Sequence, residues 1–157
     1  RDTASLVPSP MFTALFMLRH AQLHFIEEGI ALKHVLDWLF FLQHERDNLD
    51  GSFLRRAMET MRMTTFADLM TAFAEQLAGE TLSKNTVDAS LLEAFIADVT
   101  GPQPDIYDMR LHKKALRIAR RFGRMWKFRS VLNEPYLTKV WQSLVYNTVT
   151  GIEPVAR

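Results

Sequence analysis

His20 and His24 stand four residues apart in a stretch with helical spacing, so their imidazoles share a face, the geometry by which two rings bind one metal ion. His24 and Glu28 repeat that spacing, and Lys33, His34, Asp37 and Phe41 cluster at spacings of three and four on the segment that follows. A metal site of two histidines and an aspartate would need a fixed third ligand. The sequence has no HExxH arrangement and no His-Asp dipeptide, and no spacing ties Asp37 to the pair. No metal is therefore assigned. The expected role is structural, with at least one histidine hydrogen-bonded across a helix pair to a carboxylate or to a main-chain carbonyl, Asp37 being the natural buried acceptor.

Nucleophilic catalysis has less support. Ser52 follows Gly51, but there is no Gly-x-Ser-x-Gly elbow, no cysteine, and no spacing that links a histidine to a serine. The six glycines make neither GxxxxGK[ST] nor GxGxxG, so no phosphate loop is present. No catalytic residue is assigned to the chain.

The other chemically loaded stretch is basic. Residues 110–129 hold nine cations and no acid, which leaves ten cations against eighteen acids elsewhere, a net of minus eight. Lys113, Arg117, Arg120, Arg121 and Arg124 can line one side of a helix, with Trp126 and Phe128 just beyond, the mixture of phosphate contacts and stacking rings that nucleic-acid binding requires. No turn-helix reading motif accompanies them. The preferred reading is a basic helix packed against the acidic remainder of its own domain, with Trp126 and Phe122 in the core and nucleic-acid binding as the alternative.

The elements that must position these residues are helices. Periodicity of three and four runs along the chain and strand-like alternation is absent, which predicts an all-α bundle of six to seven helices with no significant sheet. The first, from Met11 to about Glu28, is apolar on nearly every side at its start and is expected to be central, with Gly29 as its stop. The second runs from Ile30 to His44, with Leu32, Val35, Leu36, Leu39 and Leu42 near one stripe. Asp50-Gly51-Ser52 is a turn and cap before a short helix from Phe53 to Met61. Thr64 or Thr65 is expected to cap a helix that ends at Ala78 before Gly79, with Phe66, Leu69, Met70 and Phe73 inward. Asp88 or Ser90 caps the next, and Thr100-Gly101-Pro102 ends it. A basic helix from about Tyr107 to Lys127 and a last one from Pro135 to about Asn147 complete the bundle.

At 157 residues, 48% of them apolar, the chain can bury roughly 70% of its unfolded surface around one core. Residues 1–10 read as a linker, 11–150 as a single helical domain and 151–157 as a tail. The linker-like start at Arg1 leads us to expect further chain upstream. The absence of cysteine fits a reducing compartment, and no run approaches the ~20 apolar residues of a membrane span, so the expectation is a cytoplasmic protein with no membrane partner.

The run Leu18-Arg19-His20-Ala21, His24-Phe25, Glu28-Gly29-Ile30, Leu32-Lys33-His34 and Leu36-Asp37-Trp38 resembles the region that follows the catalytic core in uncharacterised bacterial nucleotidyltransferases of the polymerase-β-like kind. Arg120-Arg121-Phe122, followed by Trp126-Lys127-Phe128, is a looser similarity to the same family, so the resemblance spans nearly the whole chain without a motif from Asn48 to Pro104. Where the family has arginine this chain has Lys33, which keeps the charge and loses bidentate geometry.

The resemblance implies a helical accessory region that covers substrate and helps select the acceptor. The metal-binding carboxylates would belong to a core outside this chain: that core places a Gly-Ser or Gly-Asp within about a dozen residues before paired carboxylates, and here no such pair follows Gly51-Ser52, Asp68 standing alone and too late. Mg2+ and a nucleoside triphosphate would be cofactor and substrate of that upstream core, this chain holding no cofactor itself. By the same analogy His20, His24, Lys33 and Asp37 would form the substrate-facing cluster. The alternative is a stand-alone partner- or nucleic-acid-binding module that uses residues 110–129.

Overall fold

The computed structural model describes residues 8–27, 29–82, 86–101 and 126–132. They form α1 (Pro10–Glu27), α2 (Leu32–Glu45), α3 (Gly51–Thr60), α4 (Thr64–Ala78) and α5 (Ala89–Thr100), with a 3-10 turn at Arg46–Asn48 and a π-helical turn at Lys127–Val131. Among the described residues there is no strand, so the class is all-α with five helices. The two further helices expected from Tyr107 to Lys127 and from Pro135 to Asn147 lie outside the described residues, apart from the stretch 126–132. No helix of the described residues is long and apolar enough to cross a membrane.

The central helix is α4, where the sequence pointed to α1. Phe66, Ala67, Leu69, Met70, Thr71, Phe73 and Ala74 are all buried, and α4 packs against α1, α2, α3, α5 and the π-helical turn. Helix α1 buries a single stripe, Ala14, Leu18, Ala21 and Phe25, spaced four, three and four apart. Met11, Leu15 and Ile26 flank that stripe and are partly buried against the core, whereas Phe12 and Phe16 point outward, 60% and 57% exposed. On α2 the buried stripe is Val35, Trp38, Leu39 and Leu42, while Leu32 and Phe40 are exposed.

An aromatic cluster joins the layers. Phe25 of α1, Phe66 of α4 and Phe95 of α5 meet with ring centroids 5.1 to 6.0 Å apart, and Trp126 meets Phe25 edge-on at 5.9 Å. Trp38 donates its indole N–H to Thr71 Oγ1 at 3.0 Å, and Thr71 returns its own hydroxyl to the Ala67 carbonyl, so the polar tips inside the α2–α4 interface are satisfied.

Local chemistry sets the helix ends. Gly29 has φ 99° and its N–H returns to the His24 carbonyl at 2.8 Å, closing α1 in a conformation that an L side chain resists. Gly79 ends α4 in the left-handed region at φ 69°. Asp50 Oδ1 takes the amides of Ser52 and Phe53, so α3 begins at Gly51 rather than Phe53. Asp88, not Ser90, caps α5, and the Ser90 hydroxyl donates to it. Neither threonine caps α4. Met63 precedes the helix without a side-chain bond, and the Thr64 hydroxyl is buried with no partner among the described residues.

Between α3 and α4 the chain turns so tightly that Arg62 takes φ 54°, uncommon for a residue with a Cβ. Gln22, wholly buried on α1, donates to the Arg62 carbonyl at 2.9 Å and accepts from Arg19, so an α1 amide braces that turn. Arg55 of α3 reaches both carboxylate oxygens of Asp68 on α4, at 2.8 and 3.0 Å, and fixes the same pair of helices from the other side.

Candidate functional site

The outward face of α1 carries a continuous row of rings. Phe12 stacks on Phe16 with centroids 6.2 Å apart, and Phe16 stacks on His20 at 5.7 Å with planes only 10° from parallel. His20 meets His24 edge-on at 4.5 Å, and His24 lies 6.3 Å from His34 at the start of α2. Spacing alone builds the first four, since residues 12, 16, 20 and 24 rise one turn at a time along one face. The turn at Gly29 brings α2 back so that the fifth ring joins them.

Structure thus confirms that His20 and His24 adjoin, and adds His34, which the candidate set left out. His34 shares its Nδ1 with the Ala31 carbonyl at 3.2 Å, which orients its ring. The sequence placed it in the cluster of Lys33, Asp37 and Phe41 by spacing along its own helix; its meeting with His24 depends on how the Gly29 turn directs α2.

Lys33 and Asp37 do pair, by an i,i+4 bond of 2.7 Å. Their side chains are 79% and 45% exposed, so Asp37 is not the buried acceptor of a histidine that the sequence led us to expect. The reason is local: a lysine one turn earlier on the same helix reaches Asp37 without crossing an interface. Among the described residues no three histidine, aspartate or glutamate side chains are grouped to hold a metal ion. An exposed row of apolar and imidazole rings beside a self-neutralised ion pair is a surface suited to recognition.

Of the basic run, Lys113, Arg117, Arg120, Arg121 and Arg124 lie outside the described residues. Lys127 is described and is no part of a cationic face: it is 0% exposed, and its Nζ donates to Asp98 Oδ2 at 2.6 Å and to the Phe25 carbonyl at 2.9 Å. The same ammonium stands 3.8 Å from the centroid of the Phe25 ring. Comparison of the chain with protein-family models, with curated proteins and with solved structures finds no match.

Proposed function

We propose that the chain is the helical accessory region of a nucleotidyltransferase-like protein, and that the ringed face of α1, with the Lys33–Asp37 pair beside it, is the surface turned toward the polymerase-β-like core. One observation supports this above the others. Within the stretch that carries the resemblance, the fold uses Leu18, Ala21, Phe25, Ile30, Val35 and Trp38 for its core and leaves Lys33 exposed, together with His20, which continues the exposed row of Phe12 and Phe16. Core packing does not require those outward residues. Exposed aromatic rings that form a contiguous patch mark interaction surfaces. In this reading the core holds Mg2+ and the nucleoside triphosphate, and the present helices cover the cleft, with His20, His24, Lys33 and Asp37 toward the acceptor.

The reading frame that encodes the chain provides the test. A Gly-Ser or Gly-Asp followed within about a dozen residues by two carboxylates one residue apart, upstream of Arg1, is the expected result. A reading frame without them would overturn the assignment.

A further inference from the structure

A depression of about 430 Å3 lies between the start of α5 and the π-helical turn, lined by Asp88, Ser90, Leu91, Ala94, Trp126 and Ser130. It is separate from the ringed face of α1 and independent of the function proposed for it. The wall that carries Trp126 is built in an unusual way. π-Helical turns are rare and are found frequently at functional sites, where they redirect side chains. This one is anchored through Lys127, whose buried ammonium is held by Asp98, the Phe25 carbonyl and the Phe25 ring. A buried ion pair adds little net stability over apolar packing of the same volume, but it fixes position. What it fixes here is the preceding residue, Trp126, set edge-on against Phe25 and still partly open to solvent.

The opposite wall is anionic. Asp88 is exposed, and its Oδ1 accepts the Ser90 hydroxyl and the Leu91 amide. Those bonds hold the carboxyl below its ordinary range, so the group is a carboxylate at any neutral pH. Leu91 and Ala94, three residues apart on α5, supply apolar surface between the walls, with Ser90 and Ser130 contributing hydroxyls. A carboxylate beside a short apolar surface suits a positive charge at the end of an alkyl chain: Asp88 attracts the head, and the methylenes cover the leucine, the alanine and the partly exposed indole. An anionic ligand would meet Asp88 head-on.

We propose that this depression is a binding site for a primary alkylammonium group. The test uses the 157-residue chain with 15N-labelled tryptophan side chains, the Trp126 indole signal being assigned by its loss in Trp126→Phe. Titration with n-butylammonium is compared with n-butanol and with sodium chloride at matched ionic strength. A saturable shift of the Trp126 signal with butylammonium, in the millimolar range usual for so small a ligand, and a much smaller shift with butanol, is expected.

Asp88→Asn retains the helix cap and removes the charge, so it should weaken butylammonium binding by about two- to fivefold while the melting curve stays in place. Putrescine and a capped lysine tripeptide distinguish the source of the group: tighter binding of the first identifies a free amine and of the second a protein side chain. Absence of a saturable shift, equal shifts with butanol, or an unaltered affinity in Asp88→Asn would overturn the proposal.

Discussion

Lys127 shows how far one residue's role can depart from its neighbourhood in the sequence. It belongs to a run of nine cations, yet it sits at 0% exposure with its charge spent on Asp98 and on a main-chain carbonyl of α1. Removing the ammonium takes away the charge that sits against Asp98 and leaves the Phe25 carbonyl without its donor, so Lys127→Met is expected to lower the unfolding free energy by about 3 kcal/mol, at the low end of the usual range because Asp98 retains some access to water. Urea melts of Lys127→Met, Asp98→Leu and the double variant measure the coupling between the two side chains, and a double variant that loses less than the sum of the single losses is the expected outcome. The contrast is the Lys33–Asp37 pair, whose bond is as short but whose side chains are 79% and 45% exposed. Lys33→Ala and Asp37→Ala are each expected to change stability by less than about 0.5 kcal/mol, since solvent already screens both charges. A large loss in Asp37→Ala would restore the buried-acceptor role that the structure denies it.

At the scale of the element, the caps make two helices sensitive to acid. Phe53's amide and Ser52's hydroxyl hold the Asp50 carboxyl below its ordinary value of 3.8, and Ser90's hydroxyl and Leu91's amide do the same for Asp88. A carboxyl whose folded value is depressed contributes stability that is fully present above 3.8 and is lost as pH falls through the lowered folded value. The first turns of α3 and α5 are therefore expected to fray at pH below 3.8, followed by amide exchange or far-UV circular dichroism; Asp50→Asn and Asp88→Asn should keep the caps and flatten that response. These ends were legible in the sequence because Asp before a helical run, and Gly after one, act through bonds no longer than one turn. Gly29 and Gly79 both took the positive φ that their positions implied. What could not be read was anything decided between elements. The apolar start of α1 suggested a helix buried on all sides, but Phe12 and Phe16 face out because Ala14 and Leu18, one turn apart, already fill the contact with the rest of the bundle. Thr64 resembled a cap, but the tight turn at Arg62 brings the chain in through Met63, and the hydroxyl is left without a partner among the described residues. The burial of Gln22 depends on a carbonyl forty residues away.

For the whole molecule, the division of labour between core and surface leads to the last prediction. If the ringed face of α1 serves a partner rather than the fold, its residues can be changed without cost to the isolated chain. Phe12→Ser together with Phe16→Ser removes two rings that are 60% and 57% exposed. Because both rings are more than half exposed, stability should move by no more than about 0.5 kcal/mol per site. On the proposed function, in a polypeptide that joins these helices to a polymerase-β-like core, the same double variant should lower transfer to the acceptor, because the covering helices would no longer seat on the cleft. The isolated chain, incubated with labelled nucleoside triphosphate, Mg2+ and candidate acceptors, should transfer nothing, since it lacks the paired carboxylates that two-metal transfer requires. Turnover by the isolated chain that disappears on substitution of one of its own residues would refute the accessory role. A double serine variant that melts well below the parent chain would show that the rings serve folding, and would leave the Lys33–Asp37 pair without the surface assigned to it.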